Sequence, residues 1–213
     1  MGLLVNCPRG EAIADVPISD CPESLGQIQK VVFQRVNSAA GTKNKFVIAT
    51  ADPSLLASWT PLLAASDGTK VVQSPYIQSP ENEPGESKEY GGGNETLSGI
   101  PIVIGRDHTP FTGNLLRVPQ STIKELKKLQ GEVLAVYFID EFGRIAGLVD
   151  DHTTPTEFRG VPITSLFIGD KKLGGFEGID MNAIKFNLYP NWSDDLHMIT
   201  PSDFDALTEL VTP

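Results

Sequence analysis

Asp150-Asp151-His152 sets two carboxylates and an imidazole side by side, a group that could hold a hard metal ion or act as a general base. It follows the apolar run RIAGLV and precedes Thr-Thr-Pro-Thr, so it reads instead as a polar exit from strand to loop. Asp195 and His197 stand two apart, on one face of a strand, yet two ligands make no site without partners from elsewhere. Arg106-Asp107-His108 is equally compatible with a turn. Cys7 and Cys21 lie fourteen positions apart with no histidine near either, whereas structural zinc takes four ligands. Reduced, partly buried thiols of a cytosolic product are the preferred reading there, and a disulfide closing the segment is the other. No serine sits in a G-x-S-x-G elbow, and neither cysteine has a nearby base. Gly91-Gly92-Gly93 has no phosphate-loop lysine and acidic neighbours. The expectation is a protein that is not an enzyme, with no catalytic residue, metal or cofactor.

The elements that would have to position such groups are mostly strands. Residues 28–36 (IQKVVFQRV) and 45–50 (KFVIAT) are β-branched and aromatic runs, with Gly41 and Asn44 between them as turn residues. Residues 133–139 and 144–149 flank Asp140-Glu141-Phe142-Gly143, a hairpin linker with a glycine where positive φ is expected. Residues 183–189 alternate cleanly, placing Ile184, Phe186 and Leu188 on one side and Lys185, Asn187 and Tyr189 on the other. Residues 161–168, with Pro162 near the start, and 195–199 complete the strands.

Three helices are expected among them. Asp52-Pro53-Ser54 opens the first, with Asp52 as N-cap, and Pro61 should kink or shorten it. The second covers 121–131, capped by Ser121 or Thr122, with Glu125 completing a capping box in the latter case. Its apolar stripe is Ile123, Leu126 and Leu129, and Gly131 stops it. A short third helix begins at Ser202 with Phe204, Leu207 and Val211 inward. Many short strands with one good central helix give a β-rich α+β fold.

A net charge of −10 and a pI near 4.7 argue against a phosphate-binding surface, which needs clustered Lys and Arg. No apolar run approaches the roughly 18–20 residues of a membrane helix. The start, MGLLVNCPRGEAIAD, has neither the basic region nor the long apolar region of a signal peptide, so none is expected. Asn94-Glu95-Thr96 and Asn191-Trp192-Ser193 match the glycosylation pattern, read as coincidence without an export signal.

Residues 67–99 are the segment that fits least. They hold Pro75, Pro80, Pro84, the three glycines, and six acids against two lysines. Loops beyond about 12–15 residues without secondary structure are uncommon in compact domains and usually functional or disordered. The reading is a single domain over 1–213, with 67–99 a long arm that adds little to the core and 1–25 an N-terminal extension. Lys70 to Tyr76 and Thr96 to Ile104 are β-capable ends around a polar centre. Tyr76, Ile77, Glu81, Glu83, Glu86, Lys88, Tyr90 and Asn94 are the residues expected to meet a neighbouring subunit.

The segments at 58–105, 110–130 (PFTGNLLRVPQSTIKELKKLQ), 137–147 (YFIDEFGRIAG) and 187–207 (NLYPNWSDDLHMITPSDFDAL) give the chain a layout that resembles the major tail tube proteins of long-tailed bacteriophages. The order is alike: strands, a long mid-chain arm, a small strand, a helix against the barrel, and a closing hairpin. The resemblance implies a β-sandwich or barrel that closes into rings, usually of six, which stack into a tube for genome ejection. It also implies a virion location and, as partners, other copies of the chain, other tail proteins, and phage DNA that passes without specific binding. The N-terminal 25 residues with their Cys-Pro pairs have no counterpart in that layout. Two alternatives stand beside it. One is a related ring protein: a connector, a tail terminator, or the tube of an injection machine. The other is a monomeric β-rich carbohydrate-binding or adhesion module using Trp59, Trp192 and Tyr189 as a stacking surface.

Overall fold

A computed structural model describes residues 12, 15, 16, 24–96, 99–175 and 178–211. Cys7 and Cys21, and the readings placed on them, lie outside these residues. The chain divides into a large compact unit, Leu25–Glu86 with Asp107–Pro213, and a small one whose described strands fall within Ser87–Arg106.

The large unit contributes β1 (Ile28–Arg35), β2 (Asn37–Ala39), β3 (Thr42–Lys43), β4 (Phe46–Val47), β5 (Val71–Gln73) and β6 (Gln78–Asn82). After the small unit's β7 (Ser87–Tyr90) and β8 (Ile102–Arg106) come β9 (Thr109–Leu116), β10 (Leu134–Asp140), β11 (Ile145–Val149) and β12 (Glu157–Arg159). β13 (Val161–Lys172), β14 (Met181–Leu188) and β15 (Leu196–Ile199) follow, and the helices are α1 (Leu56–Ala64) and α2 (Gln120–Lys127). The fold is β-rich α+β, built on a large antiparallel sheet.

β10 is the centre of that sheet. β1 runs along one edge of it, from Ile28↔Asp140 to Arg35↔Leu134. Its other edge is shared between β13, at Ala135 and Val136, and β11, at Phe138 and Ile139. From β13 the sheet continues through β14 and β9 to β6. β5 pairs back onto β1, and beyond it Ser74 N and Ile77 N still donate to Val31 O and Gln29 O, both at 2.8 Å. One stretch of chain therefore leaves β1 and joins β9. The pairings close on themselves, which removes the free edges around that ring.

Two apolar clusters follow from the closure. Phe33, Phe111, Val136, Phe138, Ile184 and Phe186 form the inner one, together with Ile123 and Leu126 of α2. Val32, Tyr137 and Ile139 face outward from the same strands and are buried by Trp59 and Leu63 of α1 and by Ala206 and Leu210 near the C-terminus. β10 reads as an unbroken apolar run because both of its faces are covered. β14 alternates, as expected, because only one face is covered: Ile184, Phe186 and Leu188 are buried and Lys185 is exposed.

Several local expectations need correction. Asp52 does not cap α1. Its Oδ1 accepts from Ser54 N (2.9 Å) in a preceding turn, and the helix starts at Leu56, whose N–H donates to Asp203 Oδ1 at 2.9 Å. Pro61 lies inside α1. α2 begins at Gln120 behind Pro119, so Ser121 and Thr122 lie inside the helix instead of capping it, and Glu125 pairs with Lys128 at 2.6 Å. The strand expected over 45–50 is cut to Phe46–Val47 by a turn in which Ala51 N donates to Val47 O. Residues 202–211 form turns rather than a helix, with Ala206 and Leu210 inward and Val211 exposed. β9, not among the strands expected above, lies between β14 and β6.

Candidate assembly surface

The groups with chemical potential are engaged in holding loops. Asp150 accepts hydrogen bonds from Thr156 Oγ1, Thr156 N and Glu157 N, which hold its carboxyl well below the usual carboxylate range. Asp151 Oδ1 accepts from Thr153 N (2.7 Å) and Thr154 N (3.2 Å). His152 Nε2 lies 2.9 Å from Asp194 O, and its ring centroid is 6.4 Å from that of His197. His108 packs against Tyr189 instead, at 5.5 Å. Among the described residues no group of three or more His, Cys, Asp or Glu side chains could hold a metal ion. Trp59 is wholly buried in the outer cluster, its Nε1 donating to Pro53 O at 2.8 Å, so it cannot share a stacking surface with Trp192 and Tyr189.

The 67–99 segment is not one loop. Its first part belongs to the body: Val71, Ser74 and Ile77 are buried, and Val31 N donates to Ser74 Oγ at 3.0 Å. Ile77 packs over Gly113 of β9, where an added Cβ would come within 2.4 Å of the Ile77 side chain. Ile77 is thus a core residue, contrary to its expected place on an exposed arm. Tyr76 is half exposed with Lys30 Nζ 4.2 Å above its ring. Glu81 lies on β6, opposite Thr112, and Glu83 is exposed in the loop beyond. The large unit's two stretches meet at Glu86, whose carbonyl accepts from Asp107 N at 2.9 Å.

The excursion proper is the β7–β8 hairpin, which runs past the expected boundary to Arg106. Lys88 and Tyr90 lie on β7, Tyr90 directly opposite Ile102, and Asn94 sits exposed in the turn beyond β7. Its composition is unlike that of a solvated loop. Tyr90, Ile100, Ile102, Val103 and Ile104 are all exposed, the last at 66%. Alternation puts Ile102 on one face with Tyr90 and Val103 on the other, and a bulge opposite Lys88 and Glu89 interrupts it at Ile104. A lone two-stranded ribbon is marginally stable in water, and contiguous exposed apolar side chains mark an interaction surface. The sequence signal is the run IPIVI at 100–104, within the β-capable stretch Thr96 to Ile104.

The large unit carries an apolar cleft of about 360 Å³, floored by Phe111, Phe138, Leu188 and Trp192. It opens where β1 and β6 part beyond the Ile77–Gln29 bond, with Leu25–Ile28 on one lip and Pro80–Asn82 on the other. The β10–β11 turn stands beside it. Asp140, fully buried, accepts from Phe142 N, Arg144 N, Arg144 Nε and Gly26 N at 2.7–3.2 Å. That clamp presents Phe142, 71% exposed, next to Gly26.

No family model matches the sequence, and no curated protein matches it. Among solved structures, the chain is similar to one from the virion of a native gene transfer agent particle, at 14% identity, covering 58% of this chain and 85% of that one, with a TM-score of 0.32. It is also similar to a chain of the anti-feeding prophage baseplate, at 9% identity, covering 85% and 99%, with a TM-score of 0.34. Overlaps this small leave the role of the chain to be argued from its own residues.

Proposed function

We propose that this chain is a structural protein of a phage tail whose copies assemble into stacked, hexameric rings, forming the tube through which DNA is ejected. The observation that carries the reading is the β7–β8 hairpin, an apolar ribbon exposed in the single chain. Burying it requires a partner, and repeated self-contact supplies one at every subunit. The layout resemblance points the same way. An overall charge of −10 suits a conduit, since carboxylates lining a channel repel phosphates and keep the duplex from sticking. In this reading the chain performs no catalysis, and the carboxylates of Asp150 and Asp151 serve the loop that they cap.

The test removes the hairpin and leaves the body. Replacing residues 88–105 with Asn-Gly, a pair suited to a two-residue turn, should leave the far-UV spectrum and melting temperature of the large unit nearly unchanged. Negative-stain microscopy should show rings and tubes for the intact protein and none for the shortened one. Tubes from the shortened protein would remove the hairpin from the assembly. An intact protein that stays monomeric at high concentration would end the proposal.

A further inference from the structure

Above Ala135 of β10 the large unit is notched, and we infer that this notch binds one free, phosphate-sized oxyanion, held by Arg35, Lys43 and Arg159. Anion binding here requires no second copy.

Gln34, Ala135 and Pro162 stand side by side on β1, β10 and β13. Ala135 is the small one, and Gly160 lies close to it: an added Cβ there would come within 2.9 Å of the Ala135 methyl. The resulting notch has a volume of about 130 Å³, walled by Val36, Lys43 and Asn44 and by Arg159 and Gly160 at the end of β12. That is below the roughly 300–1,000 Å³ of sites for larger ligands, and is room for about four waters at about 30 Å³ each. The walls are fixed without a ligand. Asn44 N donates to Val36 O at 2.9 Å, and Asn44 Nδ2 donates to Arg35 O and Gly68 O at 2.9 and 2.8 Å. Gln34 is locked as well, its Nε2 donating to Thr69 O and its Oε1 accepting from Tyr137 OH. Walls already ordered lose little conformational freedom on binding.

The charge of the occupant follows from what is left unpaired. Among the described residues no carboxylate lines the notch. Lys43 is exposed and Arg159 partly buried, and neither side chain makes an ion pair or hydrogen bond among those residues. Arg35 donates through Nη2 to Glu132 Oε1 at 2.9 Å. The other acids close by are engaged: Glu157 of β12 pairs with Lys45, and Asp67, past Gly68, accepts from Thr69 N and Thr69 Oγ1. Three cations thus gather in a chain with 27 acids against 17 bases, two of them without a counter-charge. Like charges held in a recess repel, and an anion between them removes that cost. The three come from β1, β3 and β12, an arrangement that suits a tetrahedral oxyanion accepting from several directions better than a planar carboxylate. Arginine supplies forked N–H pairs to it and lysine a point charge. A phosphodiester would bring two sugars with it, for which the notch has no room, so the anion is a free one.

The experiment titrates inorganic phosphate into the full chain at low salt and near-neutral pH, read by isothermal calorimetry. The parent should bind one equivalent. Arg159→Gln and, separately, Lys43→Gln should each weaken binding at least about tenfold, the loss expected when a charged hydrogen-bond donor is removed. Lys185→Gln, which deletes an exposed charge on β14 outside the notch, should leave binding unchanged. Lys43 is exposed on a short hairpin, so its variant tests the site even if Arg159→Gln folds poorly. No saturable binding by the parent below roughly 10 mM, or equal affinity in all three variants, would overturn the site. A short DNA duplex added in competition should not displace phosphate. Displacement would overturn the assignment to a free anion and give the notch to a nucleic-acid backbone instead.

Discussion

Phe186 and Lys185 are neighbours whose contributions to stability differ because β14 has one covered face. Phe186 is 1% exposed and stacks on Phe111 with centroids 4.6 Å apart. Phe186→Ala should cost about 3–5 kcal/mol, whereas Lys185→Ala should be nearly silent. Denaturant melts of the two variants check this, and equal losses would mean that the face is misassigned. Asp150 supports a pH prediction. Thr156 and Glu157 lower its folded pKa, so its ionised form stabilises the native state above the unfolded value of about 3.9, and that contribution is lost as the pH falls below it. In thermal melts, Asp150→Asn should be less stable than the parent near neutral pH, and the difference should shrink below about pH 4. A difference independent of pH would remove the carboxylate from the account.

At the scale of elements, α1 shows how a helix can be started by residues far away in sequence. Its own N-cap position is Leu55, which offers no side-chain bond, and the first helical N–H is met by Asp203. Asp203→Ala should therefore destabilise the protein by roughly 0.5–2 kcal/mol, the usual cost of a lost cap. Asp52→Ala, which loses only the bond to Ser54, should cost less. Calorimetry of the pair decides between the local and the distant cap. The same contact ties the C-terminal turns to α1, where Ser202 N also donates to Ser54 O at 2.9 Å.

For the whole molecule, charge opposes the proposed assembly. Copies at −10 repel one another, and at 0.1 M salt that repulsion is largely screened beyond about 10 Å. Ring and tube formation should accordingly strengthen as salt rises from about 0.05 to 0.5 M, because the joint is apolar and only the repulsion is screened. Light scattering across that range tests it. Assembly that weakens with salt would point to a joint made of ion pairs instead.

Alternation in AIKFNLY, the apolar run of β10 with its hairpin turn, and the buried stripe of α2 were legible because each depends on neighbours within a few residues. So was the β-rich class. That part of residues 67–99 is core was not legible, for a physical reason. Whether Val71 and Ile77 are core or arm depends on Gln34 and Gln29 of β1 and on Gly113 of β9, all 36 or more positions away, and Gly113 leaves space for Ile77. The cap on α1, the parting of β1 from β6 that makes the cleft, and the exposure of Ile102 to Ile104 are likewise properties of packing. Local sequence could set which segments favour strand or helix, because those preferences are short-range. Only the closed pairing of distant strands decided which apolar residues would be buried within the chain and which would be left for another copy.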